Sequence, residues 1–206
     1  MTALVITAVL FDLDGVLVDS FNAWLAVLND TAAHFGHPPV AEADFRRIFG
    51  QPTQADVDNF LPGENADVVD AYYATRFPKH FTDVEVIPGA RELLNALDAQ
   101  GTLTAVITNT VSAIARPLVE TLDLAPHALV GRSDVPKPKP APDMVLRACQ
   151  VLGVEPWDTL VVGDSETDKQ AAAAAAVPFA GFGGIQGNYT LASLDQVQSI
   201  VNGTFG

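Results

Sequence analysis

The stretch Phe11-Asp12-Leu13-Asp14-Gly15-Val16, with the apolar run from Val5 to Leu10 ahead of it, decides how this chain reads. Such a run has the character of a buried strand, and the two carboxylates fall where that strand should end. Residues two apart on a strand point the same way. Asp12 and Asp14 therefore face one cleft at the strand's C-terminal edge, where open α/β sheets bind ligands, while Leu13 turns back into the core. The pair suits a nucleophile and a proton shuttle. An Asp-x-Asp-Gly sequence also fits an ordinary turn or a calcium loop. The calcium reading is the poorer one, because that loop needs ligands at alternate positions and a terminal Glu, and here the chain runs on through Leu17 and Val18.

With 206 residues, 49% of them hydrophobic and 17% charged, the chain can build one good core, or one domain with a small insertion. No apolar stretch reaches membrane-spanning length, and Met1-Thr2-Ala3-Leu4 has no basic flank, so a secretory signal is not expected. The single cysteine, Cys149, follows Leu146 at a helical core spacing and reads as a buried small hydrophobe, and a reducing cytoplasm is the expected compartment. A net charge of -14 opposes nucleic acids and anionic membranes, and neither is an expected partner. Any phosphate site must then bring its own positive charge from a metal, a lysine or backbone N–H groups.

Apolar residues recur at helical spacing through Phe21, Trp24, Leu25 and Leu28, and the pattern stays helical to about Phe81. Gly36-His37-Pro38-Pro39, Gly50-Gln51-Pro52 and Leu61-Pro62-Gly63 divide this block into about four helices, with Glu42 and Asp44 near the start of the second. It reads as a helical insertion. From Val84 the rhythm changes. Ile87-Pro88-Gly89 opens a helix to Gln100, and Thr102 to Ile107 is a buried strand ending at Thr108-Asn109-Thr110. A helix from Ser112, a strand at 128–130, a helix with Leu146 and Leu152, and a strand at 159–162 follow. A helix from Glu166 to Ala176, a short strand at 179–182 and a terminal helix from Leu191 complete the chain. Strand and helix alternate, so the expected fold class is α/β, a doubly wound, Rossmann-like parallel sheet. The expected division is a core of residues 1–19 and 82–206 with an all-helical cap at 20–81.

Three further polar clusters fall at strand ends or just beyond: Thr108-Asn109, Lys139 in a proline-rich loop, and Gly163-Asp164-Ser165-Glu166-Thr167-Asp168. Each has a plain alternative. Thr108 and Asp164-Ser165 could cap the helices that follow them, and Lys139 could be a solvated loop residue. Their placement after successive strands argues for a shared edge with Asp12 and Asp14.

With these residues in this order, the chain resembles the haloacid dehalogenase superfamily of phosphotransferases, closest in style to its phosphoglycolate phosphatase and β-phosphoglucomutase branches. The resemblance spans nearly the whole chain, and the insertion resembles the cap of that family. It implies that Asp12 is a nucleophile forming an aspartyl-phosphate and that Asp14 is the acid and base. It also implies Mg²⁺ held by Asp12, the backbone carbonyl of Asp14 and Asp164, with Asp168 and Ser165 orienting that shell. Gly15, Thr108, Asn109 and Lys139 would hold the transferring phosphoryl. Lys139 is chosen over Lys137 because it alone stands before Pro-x-Pro and an acidic residue.

The implied activity is a Mg²⁺-dependent phosphatase acting on a small phosphorylated metabolite, phosphoglycolate-like or a sugar phosphate. A phosphosugar mutase is the alternative within enzymes, and a non-catalytic regulatory module with the same fold is a third reading. Mutases of the family carry a histidine where Trp24 aligns and an arginine where Thr53 aligns, so both departures weigh against that activity. Ala176 stands where the family commonly has glycine, which predicts a different end to that helix. Arg46, Arg47 and Gln51 are the candidates for reading the leaving group, Arg46 or Arg47 by gripping a second anion.

Overall fold

The computed structural model describes residues 6–205, so the opening segment Met1–Leu4, judged above not to be a signal, and Val5 lie outside the described residues. In chain order the elements are β1 (Ala8–Phe11), β2 (Val18–Asp19), α1 (Phe21–Phe35), α2 (Glu42–Phe45), α3 (Thr53–Phe60), α4 (Ala66–Arg76), a 3-10 segment (Phe77–Asp83), β3 (Glu85–Val86) and α5 (Ala90–Ala99). They continue as β4 (Leu103–Thr108), α6 (Ser112–Thr121), β5 (Ala128–Gly131), α7 (Asp143–Leu152), β6 (Thr159–Gly163), α8 (Glu166–Ala174), β7 (Phe179–Gly181), β8 (Tyr189–Thr190) and α9 (Gln196–Val201).

Six strands form one sheet in the order β5-β4-β1-β6-β7-β8, and every neighbouring pair is parallel. β1 lies between β4 and β6, with Phe11 beside Val106 and Val162. Alternate residues of the buried strands feed two apolar layers. Val9, Phe11, Val106, Leu160 and Val162 belong to one, shared with α5, α6 and α9, while Leu10, Ala105, Ile107, Val130 and Val161 pack with α7 and α8 in the other. This two-sided burial is why the strands read as continuous apolar runs. The fold is α/β with helices on both faces, as expected.

Between β2 and β3 the chain is helical, and α1 to α4 pack on one another through Phe21, Val27, Phe45, Val57, Leu61, Val69, Tyr73 and Phe77. β2 and β3 pair antiparallel, Val18 with Val86 and Asp19 with Glu85, and the Ile87 amide donates to the Leu17 carbonyl at 2.9 Å. The two crossings into and out of the helical block are thus stitched into one ribbon.

Several local expectations need correction. Leu146 does not face the core. It is 44% exposed, and α7 turns Met144, Val145, Ala148 and Cys149 inward instead. The helix from Glu166 ends at Ala174, and Ala176 adopts φ 57°, so the chain leaves the helix in the left-handed geometry although no glycine is there. The last helix starts at Gln196 rather than Leu191, because the Leu191 amide donates to the Gly181 carbonyl and extends the pairing of the short strand β8.

Candidate active site

The loops that follow β1, β4 and β6 meet, with Lys139, at the C-terminal edge of the sheet. Immediately beyond β1, Asp12 is 4% exposed, and both the Leu13 amide (2.7 Å) and Lys139 Nζ (2.8 Å) are bound to its Oδ1. Among the described residues its Oδ2 has no hydrogen-bond donor. Burial, then the nearby Asp168, holds the Asp12 carboxyl well above the usual carboxylate range, against the pull of Lys139.

Asp14 is bound differently. Ser20 Oγ and Trp24 Nε1 (3.1 Å) donate to its Oδ1, and Thr108 Oγ1 (3.3 Å) and Thr110 Oγ1 (3.1 Å) donate to its Oδ2. Two donors come from the sheet edge and two from the start of the helical block. Ser20 is the N-cap residue of α1 yet makes no capping bond, because its hydroxyl is turned to Asp14. Trp24, in the position compared above with a mutase histidine, touches Asp14 through an indole N–H, which only donates and cannot relay a proton.

Lys139 is 1% exposed, whereas Lys137 is on the surface. Its ammonium reaches Asp12, Asp168 Oδ1 at 2.6 Å and the Ile107 carbonyl at 3.0 Å. Burial works against that charge, but Asp12 and Asp168 outweigh it and raise Lys139 above the usual lysine range. Asn109 fixes the same loop by its backbone: its Oδ1 accepts from the Lys139 amide at 3.0 Å and its Nδ2 donates to the Lys139 carbonyl at 3.3 Å. The same Nδ2 also donates to the Gly50 carbonyl of the helical block at 3.1 Å.

Beyond β6, Ser165 caps α8, accepting from the Asp168 amide, while Asp168 Oδ2 accepts from the Ser165 amide and hydroxyl. The capping alternative is therefore correct for Ser165. Asp164 turns the other way. Burial, then Asp168, pushes its carboxyl up to about 7. It lies against Gly15, whose φ is +85° and where a Cβ would stand 2.0 Å from Asp164 Oδ2. Only glycine allows both the turn and this approach.

Carboxylate oxygens of Asp12, Asp164 and Asp168 lie within 4.8 Å of one another. Asp168 already spends both oxygens on Lys139 and Ser165, so Asp12 and Asp164 are the side chains left to offer a metal. Two hard oxygen donors with little compensating charge fit a divalent ion such as Mg²⁺.

A cavity of about 550 Å³, counted out to its open mouth, runs from Asp12 and Asp14 into the helical block. Gln51 lines it. Arg46 and Arg47 do not: they follow α2 and pair back to its Glu42 (2.6 Å) and Asp44 (2.5 Å) on the surface, and Arg46 also covers the Phe21 ring. Glutamate and aspartate four and three residues before these arginines are the local sequence signal for such pairing, which the expectation of an anion-gripping role passed over. The residues that sequence reasoning missed are Thr110, Asp56, Asp70 and Tyr73, all on the cavity wall. Thr110 stands two after Thr108, the same alternation that pairs Asp12 with Asp14.

This edge, with two aspartates, a threonine, a buried lysine and a second acidic loop in strand order, defines a phosphoryl-transfer class of hydrolase. The chain belongs to the haloacid dehalogenase-like hydrolases, whose family model matches residues 9–182. It is 34% identical over 181 residues to a phosphoglycolate phosphatase of Chromobacterium violaceum, covering 82% of each chain. A phosphoglycolate phosphatase of Rhodospirillum rubrum is 35% identical over 197 residues, with 83% of this chain and 77% of that one covered. The crystal structure of a HAD-superfamily hydrolase, subfamily IA, from Geobacter sulfurreducens superposes with a TM-score of 0.78 at 25% identity, covering 95% of this chain and 99% of that one. The chain is a phosphatase of this family.

Proposed function

We propose that the protein hydrolyses a small phosphomonoester in a Mg²⁺-dependent reaction through an aspartyl-phosphate on Asp12. The observation that carries this reading is the asymmetry of Asp12: Oδ1 is held by the Leu13 amide and Lys139, and Oδ2 is left to react. In the first step an Asp12 oxygen attacks phosphorus, the ester P–O bond breaks, and Asp14 gives its proton to the departing alcohol. In the second, water attacks phosphorus, Asp14 takes a proton from it, and the bond to Asp12 breaks to release phosphate. Thr108 and Lys139 hold the phosphoryl oxygens as their charge redistributes, whereas the Asn109 side chain is spent on the Lys139 backbone and the Gly50 carbonyl, and the Gly15 amide on the Val18 carbonyl. Mg²⁺, held by Asp12, Asp164 and the Asp14 carbonyl, would neutralise the charge that a phosphate adds to this acidic edge.

Residues 20–81 serve as a cap over a core of 1–19 and 82–206, and the β2–β3 ribbon is its pivot. Hydrolysis is favoured over a mutase cycle, because Thr53 spends its hydroxyl on Asp70 and offers no charge to grip a second phosphate. A buried lone cysteine suits a reducing cytoplasm. The test is turnover of an aryl phosphate with and without Mg²⁺. Asp12→Asn should abolish it in freshly purified protein, and retention of most activity by that variant would overturn the mechanism.

A further inference from the structure

The cavity wall beyond Asp14 carries the most specific unassigned chemistry in the molecule. It is built by Trp24, Phe45, Phe49, Thr53, Asp56 and Tyr73, with Asp70 behind Thr53. No lysine, arginine or histidine lines it among the described residues. The basic side chains of the helical block are engaged elsewhere or on the surface: Arg76 with Asp30, His37 with Glu64, His34 stacked on Tyr72, and Lys79 exposed. Asp70 is neutralised by Arg132 and the Thr53 hydroxyl. Asp56 is not. Its Oδ2 accepts from Tyr73 at 3.0 Å, and its Oδ1 has no hydrogen-bond donor or cation among the described residues.

From this wall we infer that the leaving group ends in a hydrogen-bond donor without negative charge, a hydroxyl or an ammonium, that Asp56 receives. The inference rests on the phosphatase reading above and specifies its substrate class. A leaving group ending in a carboxylate, as glycolate does, would meet Asp14 and Asp56 with no cationic side chain lining the cavity to offset them. The N-terminus of α3, which would favour an anion, already has Asp56 in its first turn. A hydroxyl or ammonium instead completes the partners of Asp56, and the faces of Trp24, Tyr73, Phe45 and Phe49 suit either an alkyl stem or a cation. Burial pushes the Asp56 carboxyl up to about 7, the behaviour of a carboxylate short of partners for its charged form.

The experiment compares kcat/KM with Mg²⁺ for glycerol 3-phosphate and phosphoethanolamine against 2-phosphoglycolate, with an aryl phosphate as the control for catalysis. The donor-ended esters should exceed phosphoglycolate by about tenfold or more, and Asp56→Asn should shrink that ratio by about tenfold through KM. The two donor arms separate hydroxyl from ammonium, since loss of the charge in Asp56→Asn weakens an ammonium ester more. Phosphoglycolate turned over as well as both donor esters would overturn the inference, as would an unchanged ratio in Asp56→Asn. Failure to turn over the aryl phosphate would instead overturn the phosphatase reading, and this inference with it.

Discussion

Lys139 neutralises two buried carboxylates at once, so its removal should act on stability as well as on rate. Lys139→Ala leaves Asp12 and Asp168 facing each other without a cation. It should lower kcat by about two to three orders of magnitude and destabilise the fold by about 3–5 kcal/mol, measurable by steady-state assay and urea unfolding. Asp56 makes a separate prediction. Its folded value of about 7, raised by burial and then by Asp70 against the Tyr73 bond, exceeds the ordinary aspartate value. Between the two values the folded chain keeps a proton that the unfolded chain has lost. Asp56 therefore makes stability fall as pH rises from about 4 to about 7, and the full cost persists above that window. Asp56→Asn should remove the fall, gaining about 1–2 kcal/mol over the native protein at pH 8 relative to pH 4.5 after allowance for solvent at the cavity mouth. Parallel urea titrations at the two pH values read this difference.

Helix α8 shows what one residue type does at an element's end. Ala176 sits at φ 57° on the surface, where a Cβ crowds the backbone and glycine would not. Ala176→Gly should stabilise the fold by about 1 kcal/mol, a rise of about 2–4 °C in Tm by calorimetry. The sequence pointed to this position but to the wrong outcome, because the demand for a left-handed exit comes from where β7 must begin and overrides the residue's own preference. Other elements divide in the same way. β1, β4 and β6 were legible because burial on both faces makes them continuous apolar runs, and the motifs at Asp12, Thr108 and Asp164 could be placed because each falls at the end of such a run. Leu146 misled because α7 packs by one side only, and a single leucine does not say which. β8 is two residues long, and its pairing comes from Gly181 across the sheet. Asp56, Asp70 and Tyr73 could not be read as site residues, since nothing local marks a helix side chain that meets the sheet edge only when the block folds over it.

At the scale of the molecule, polar contacts tie the helical insertion to the sheet edge: Ser20 and Trp24 on Asp14, Asn109 on the Gly50 carbonyl, and Arg132 on Asp70. Opening the site must break them. Arg132→Ala should loosen the closed arrangement, giving faster hydrogen exchange in α4 and the β2–β3 ribbon. Vanadate with Mg²⁺, as a phosphate mimic, should slow that exchange and shrink the scattering radius of the native protein. Indistinguishable scattering curves and unchanged ribbon exchange on adding the mimic would count against closure as a rigid unit.

The ribbon has a further consequence. Because Asp19 and Glu85 are cross-strand partners, the chain leaves the sheet's domain and returns to it at nearly the same point. Whatever lies between can lengthen, shorten or be exchanged for a relative's segment without shifting any of the six parallel strands. On the proposed division, the sheet edge and the helical block would be inheritable as modules joined by four residues of backbone.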